Sequence, residues 1–259
     1  MGLTRPTVGI VGGTGKMGSW FAGLLGQSGS KVFRVGRRTD LTPAQVAQQC
    51  DVVVISVPIA DTVRVIQEVG PLVSENGVLM DLTSVKKGPV EAMLRYSRAE
   101  IVGAHPLFGP DITSHSGLRV IVCPGRGERG LGWLKGILQD SGMKVTVLSP
   151  EKHDHIMGLI QGVNHFSTLA LASCISRSGL NFEDVLSCST QTFNDRIERI
   201  RSVLEQPADL FGSLLMDNPE ADEFIDVYLQ AVEELVQIIR QRDKAAFGKL
   251  FESLKKVFS

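Results

Sequence analysis

The chain has 259 residues, a formal net charge of −1, 43% hydrophobic and 21% charged residues, which is ordinary for a globular protein with a sizeable core and room for two domains. A charge so near zero offers no field to draw nucleic acid or an anionic membrane, and no apolar run approaches a membrane-spanning length. With no apolar core of the signal-peptide kind near the N-terminus, a cytoplasmic protein acting on a small molecule is expected.

In chain order, the first half alternates strand-like apolar runs with helical stretches, as a doubly wound parallel sheet requires. Strands are predicted at Val8–Val11, Lys31–Val35, Asp51–Val57, Gly77–Leu82, Ile101–Gly103, Val120–Cys123 and Lys144–Leu148. Helices are predicted between them at Ser19–Gln27, Pro43–Gln49, Asp61–Val69, Pro89–Tyr96 and Gly130–Asp140. After Pro150 helical periodicity takes over, notably over Ile156–Ile175 and Phe224–Ile239, with Gly179-Leu180-Asn181 as a break. The expectation is an α/β fold: a Rossmann-type, mostly parallel sheet over residues 1–150 and an all-helical domain over 151–259. The second domain is more apolar than a small annex needs, so a homodimer through it is expected, a buried intrachain core being the other explanation. Cys50, Cys123, Cys174 and Cys188 form no C-x-x-C, which suits buried thiols in a reducing compartment, and no metal site is expected.

The first strand breaks at once into Gly13-Thr14-Gly15-Lys16-Met17-Gly18, a G-x-G-x-x-G that opens onto a helix. One glycine permits the turn, one lets the backbone approach a pyrophosphate, and one lets the helix pack closely on the strand. The helix N-terminus then presents unpaired N–H groups and the positive end of its dipole. Alone the pattern is weak; at the start of a βαβ unit it reads as a dinucleotide site. An NAD site would place an acid at the end of the second strand, whereas this chain reads Val35-Gly36-Arg37-Arg38-Thr39. Two guanidiniums suit a 2′-phosphate, so NADP is the expected cofactor with NAD as the alternative; the plain reading of Arg37 and Arg38 is an exposed loop pair.

Ligands of a parallel sheet sit outside the carboxyl ends of its strands. Three successive ends here carry Ser56-Val57-Pro58, Thr83-Ser84 and His105-Pro106. Ser56, Val57 and Pro58 are expected beside the cofactor, with Ser84 and His105 near the nicotinamide. A neutral imidazole there accepts a hydroxyl proton as hydride leaves the same carbon. Taken alone, a histidine before proline is more often a turn residue.

Its surroundings change that reading. His105-Pro106-Leu107-Phe108-Gly109-Pro110-Asp111, preceded by Asp81-Leu82-Thr83-Ser84-Val85-Lys86-Lys87-Gly88-Pro89 and followed by Ile160-Gln161-Gly162-Val163-Asn164-His165-Phe166, resembles the prephenate dehydrogenase family of tyrosine biosynthesis. The likeness covers nearly the whole chain and is nearest the branch in which the dehydrogenase is fused to chorismate mutase. No mutase segment has room before Val8 and no regulatory ACT domain follows the helices, so a stand-alone dehydrogenase is expected. The resemblance implies oxidation of the prephenate 4-hydroxyl with loss of carbon dioxide to give 4-hydroxyphenylpyruvate, with His105 as base and Ser84 orienting it or the substrate. It implies that His165 contacts substrate; Gln161, four residues earlier and so on the same helix face, adds a polar contact. Counting back from Pro207, the carboxylate-binding arginine of the family falls on Arg201, with Arg196 next and Arg199 not excluded by spacing.

Arogenate, with an amine in place of the pyruvyl ketone, is the close alternative substrate. A hydroxyacid or imine-reducing dehydrogenase shares the glycine turn, and a catalytically silent nucleotide-binding regulator is the reading from another class. His153, Asp154 and His155 are read as a cap or domain junction instead of metal ligands, because adjacent helix positions do not converge. His115 is read as an exposed loop residue, and Trp20 and Trp133 as core.

Overall fold

Val52-Val53-Val54-Ile55 is apolar at every position, and all four side chains are buried, alternating between the two faces of a central sheet. That continuous pattern is what a strand covered by helices on both sides demands. In the computed structural model, which describes residues 3–110, 112 and 114–259, the elements run β1 (Thr7–Val11), α1 (Lys16–Gln27), β2 (Lys31–Val35), α2 (Pro43–Gln49), β3 (Val52–Ile55), α3 (Ile59–Val69), β4 (Val78–Asp81) and α4 (Lys87–Tyr96). They continue with β5 (Glu100–Pro106), β6 (Arg119–Arg126), α5 (Arg129–Asp140), β7 (Lys144–Val147) and α6 (Pro150–Met157). A π-helical segment (Gly158–Val163) follows, then α7 (Asn164–Arg177), α8 (Phe182–Ser187), α9 (Gln191–Leu204), α10 (Ala208–Met216), α11 (Glu220–Gln241) and α12 (Lys244–Phe258).

The seven strands lie in the order β2-β1-β3-β4-β5-β6-β7 and are parallel except for the β5–β6 pair. One face buries Val8, Ile10, Val52 and Val54 under Phe21, Leu24 and Leu25 of α1 and Leu134 and Leu138 of α5. The other buries Val53, Ile55 and Leu79 under Val46 of α2, Ile66 of α3 and Met93 of α4. Because β2 and β3 flank β1, the connections leave β1 in opposite directions, and the crevice beyond β1 and β3 is the place where such sheets bind ligands.

The chain divides into two compact units, residues Met1–Ile156 with Pro207–Asn218, and Met157–Gln206 with Pro219–Ser259. This differs from the expected division at residue 150: α6 belongs to the first unit, and α10 returns to it, packing on α3. Asn218 Nδ2 donates to the Asp154 carbonyl at 2.9 Å, tying the returning segment to α6.

Three local expectations also differ. The first helix begins at Lys16, so Gly18 lies inside it. His105 is not in a turn: β5 extends through Pro106, and His105 pairs with Ile121 of β6. The predicted helix Ile156–Ile175 is divided by the π segment, and the reason lies in the second unit. A methyl on Gly158 would stand 2.7 Å from the Glu220 carbonyl and one on Gly162 would stand 3.0 Å from Ala221 Cβ, so the two glycines let α11 lie against the widened turn.

Candidate active site

The glycine turn is packed too tightly against neighbouring backbone to admit side chains. Gly12, one residue ahead of the predicted motif, has φ +85°, and a methyl there would fall 2.1 Å from the Ser56 carbonyl. A methyl on Gly18 would fall 2.5 Å from the Gly12 carbonyl, and one on Gly13 would fall 2.8 Å from that of Ile10. Gly12 and Gly13 both donate to the Val35 carbonyl at 2.9 Å, and Gly36 lies so close to Thr14 that a Cβ would meet its Oγ1 at 2.1 Å. The ends of β1, β2 and β3 therefore share one floor. At the start of α1, Gly15 is extended and no side chain caps the helix, leaving its first N–H groups for an anion. This cradle fits a dinucleotide pyrophosphate. Of the six residues of the predicted motif, Thr14, Gly15 and Lys16 are exposed here, Met17 is half-buried, and Gly13 and Gly18 are buried. Ser56 and Val57 are half-buried after β3, and Pro58 is exposed at the start of α3. Arg37 and Arg38 are exposed after β2, beside the Gly36–Thr14 contact. A third arginine, Arg34, is exposed too but bonded to the turn, donating from Nε to the Gly13 carbonyl at 2.7 Å and from Nη2 to Ser19 Oγ at 2.6 Å.

Below the ends of β4 and β5 lies a buried polar network that extends His105. His105 is 2% exposed, and its Nδ1 lies 2.8 Å from Nε2 of His153, itself fully buried on α6. The other nitrogen of His153 lies 2.7 Å from Asp154 Oδ1. Asp154 also accepts the backbone N–H groups of Lys86 at 2.7 Å and Lys87 at 2.9 Å, so a carboxylate from α6 caps α4. Lys86, fully buried, donates through Nζ to Asp81 Oδ2 and, at 2.9 Å, to the carbonyl of Ala104. Gly103 makes room for that ammonium's stem: a methyl there would stand 3.1 Å from Lys86 Cδ.

Burial holds His105 well below the usual 6.5 of a histidine, helped by repulsion from His153 and Lys86. Burial lowers His153 too, against the pull of Asp154. Burial raises the Asp81 carboxyl, with the Lys86 ammonium opposing it. Both histidines are therefore neutral imidazoles near pH 7. Ser84 is half-buried in the loop between β4 and α4.

The loop after β5 is held by aromatic contacts. Trp20 of α1 meets Phe108 edge-on at 5.0 Å between centroids and donates from Nε1 to His115 Nε2 at 3.2 Å, so His115 is half-buried and bonded, not exposed. Asp111 of the quoted stretch lies outside the described residues.

In the second unit, His165 is half-buried on α7, lowered by burial and by the Arg199 guanidinium. Gln161 is half-buried in the π segment. Arg201 pairs with Glu198 at 2.8 Å with its side chain 50% exposed. Arg199 is thus the arginine whose charge reaches His165, while Arg201 is held in an exposed ion pair.

Sequence reasoning gave no role to Gly12 or Lys86, and it read His153 and Asp154 as a cap or domain junction: Asp154 does cap α4, but the contact of His153 with His105 was not foreseen. The doubled glycine pointed to Gly12, and an adjacent His-Asp pair on the buried face of a helix to His153 and Asp154.

Models of two families match the chain: the nucleotide-binding domain of prephenate dehydrogenase over residues 30–147 and its dimerization domain over residues 149–256. The chain is 30% identical to a probable arogenate/prephenate dehydrogenase of Methanocaldococcus jannaschii, over 98% of this chain and 61% of that protein. It is 32% identical to the T-protein of Enterobacter agglomerans, over 98% of this chain and 68% of that one. It thus spans about three fifths to two thirds of the length of these relatives. The fold matches a crystal structure of prephenate dehydrogenase from A. aeolicus in complex with hydroxyphenyl propionate and NAD+, with a TM-score of 0.81, 23% identity and coverage of 99% of this chain and 97% of that one. Among the described residues, no helix is long and apolar enough to cross a membrane.

Proposed function

The chain belongs to the prephenate dehydrogenase family, and from that premise we propose that it oxidises prephenate to 4-hydroxyphenylpyruvate and carbon dioxide with NADP, or with NAD, as hydride acceptor. The observation that carries the reading is His105, a neutral imidazole at the end of β5, buried and backed by a second histidine. When bound, the nicotinamide takes the hydride from C4 of the substrate. His105 accepts the proton of the 4-hydroxyl, so charge does not build on that oxygen as the ketone forms. The ketone draws the electrons of the departing carboxylate, and the ring becomes aromatic. Burial keeps water from the base, and Ser84 orients the hydroxyl or the imidazole.

For the cofactor, Gly12, Gly13 and Gly18 let the turn and the start of α1 pack tightly on the strand ends so that the uncapped N-terminus of α1 faces the pyrophosphate, and Arg37 and Arg38 favour a 2′-phosphate. His165, Gln161 and an arginine, Arg201 by its place before Pro207, are proposed for the substrate's polar groups. The presence of the dimerization-domain model and the exposed Val232, Leu235, Ile239, Phe247 and Phe251 on α11 and α12 support a homodimer formed through the helical unit; light scattering at micromolar protein reads its mass. The name of the M. jannaschii relative supports arogenate as second substrate. Incubation with prephenate or arogenate, each with NADP or NAD, while following the reduced-nicotinamide absorbance, separates these choices. Reduction with neither substrate refutes the enzyme.

A further inference from the structure

We propose that His153, backed by Asp154, is a positioning residue that fixes the tautomer of His105, placing its proton on Nδ1 and leaving Nε2 as the only basic nitrogen. The inference rests on the reading of His105 as the base and goes beyond it by assigning the atom that reacts. A carboxylate only accepts hydrogen bonds, and Asp154 Oδ1 stands 2.7 Å from His153 Nδ1, so the proton of a neutral His153 is on Nδ1. Its Nε2 is then bare and can only accept. The atom facing it at 2.8 Å, His105 Nδ1, must therefore be the donor. With one proton on a neutral ring, His105 Nε2 carries a lone pair.

The arrangement is over-determined. Asp154 is held by two backbone N–H groups at the start of α4, Lys86 at 2.7 Å and Lys87 at 2.9 Å, so it cannot swing away from His153. His153 is fully buried and His105 nearly so, which keeps both rings from bulk solvent. The charged and titratable groups acting on the pair are Lys86 and Asp81 from the β4–α4 segment and Asp154 from α6. Lys86 repels a second proton on either ring while both are resting. When His105 Nε2 takes the substrate's hydroxyl proton, the imidazolium that forms still donates from Nδ1 to His153, whose own N–H points to a carboxylate. The chain of dipoles is thus oriented before reaction to favour the charge that the reaction creates.

Leucine and glutamine at position 153 report different things. His153→Leu removes the acceptor, whereas His153→Gln presents an amide oxygen near the place of Nε2. Protein labelled with 15N-histidine reads the tautomer directly, the His105 resonances being assigned by their loss in His105→Asn. Expected for the parent at pH 7.5 is the Nδ1–H form for both His105 and His153. Expected for His153→Leu is loss of the single Nδ1–H form of His105. Its kcat should fall on the order of 10²-fold or more while the prephenate KM stays within about 2-fold, and His153→Gln should recover at least about tenfold of the loss. An Nε2–H tautomer on His105 in the parent overturns the proposal. So does a His153→Leu protein of native circular dichroism that turns over like the parent. If His153→Leu does not fold, the tautomer in the parent and the kcat of His153→Gln still decide. The test is separate from that of the function: a parent with no turnover refutes the dehydrogenase reading, while its tautomer stands or falls by the spectrum.

Discussion

Lys86 and Asp81 form an ion pair that no solvent reaches, and the same ammonium also bonds to the carbonyl of Ala104, the residue before His105. A charge pair placed there costs desolvation, which the attraction of the two charges, the Ala104 carbonyl on the ammonium and the Thr83 N–H on Asp81 at 3.0 Å offset in part. Its position also brings the Lys86 charge to bear on His105, where it adds to burial and His153 in lowering the imidazole.

Removing one partner therefore leaves a buried charge alone. Lys86→Met should lower stability by about 3–5 kcal/mol, while the double replacement Asp81→Asn with Lys86→Met should recover more than half of that loss. Chemical denaturation of the three proteins checks this. A double variant no more stable than the single one would show that the pair is not a unit.

Two glycines of α1 and its turn separate close approach from helix propensity. Gly12→Ala should weaken reduced-cofactor binding by at least about tenfold, or cost more than about 2 kcal/mol of stability, because the added methyl meets the Ser56 carbonyl at 2.1 Å and φ is +85°. Gly23→Ala, where nothing lies within 4 Å, should stabilise by about 0.5–1 kcal/mol and leave binding unchanged. Fluorescence titration with the reduced cofactor and thermal melts read both.

The buried histidines make stability depend on acidity. Their native values are depressed below 6.5, so between the native and unfolded values the unfolded chain binds more protons. The stability they contribute is complete above pH 6.5 and is lost as the pH falls below it, with a slope of up to about 1.4 kcal/mol per pH unit for each ring. Melting temperatures from pH 8 to pH 5 should fall below the ordinary histidine range, and less steeply in His153→Gln. A flat profile would contradict the burial argument.

Among the described residues, Arg201 is tied only by an exposed pair with Glu198, the kind of contact that contributes about 0–1 kcal/mol. Arg201→Lys should accordingly leave the melting temperature within about 2 °C but raise the prephenate KM about tenfold, since a lysine lacks the fork that matches a carboxylate. If Arg199→Lys raises KM and Arg201→Lys does not, the role belongs to Arg199, the arginine that acts on His165.

The strand order and the glycine cradle were legible because their signals are local: period-two burial, a turn that only glycine allows, and a polar residue at a strand's end. His105 was legible in the same way, although its place within a strand was hidden by the proline after it. The partners of His105 were not legible, since His153 lies 48 residues away and Asp154 caps a helix 68 residues earlier. Nothing in the His-Asp-His triplet says which of its members faces inward until α6 is laid on the sheet. The π turn was equally hidden, because Gly158 and Gly162 take their meaning from Glu220 and Ala221, far along the chain.

The role of His105 is tested most directly by turnover of His105→Asn with prephenate at saturating cofactor, together with titration of the same protein by reduced cofactor. Cofactor affinity within about 2-fold of the parent, with kcat lower by on the order of 10²–10⁴-fold, is the predicted result. Unchanged kcat in a variant that binds cofactor normally would remove His105 from the chemistry and contradict the account.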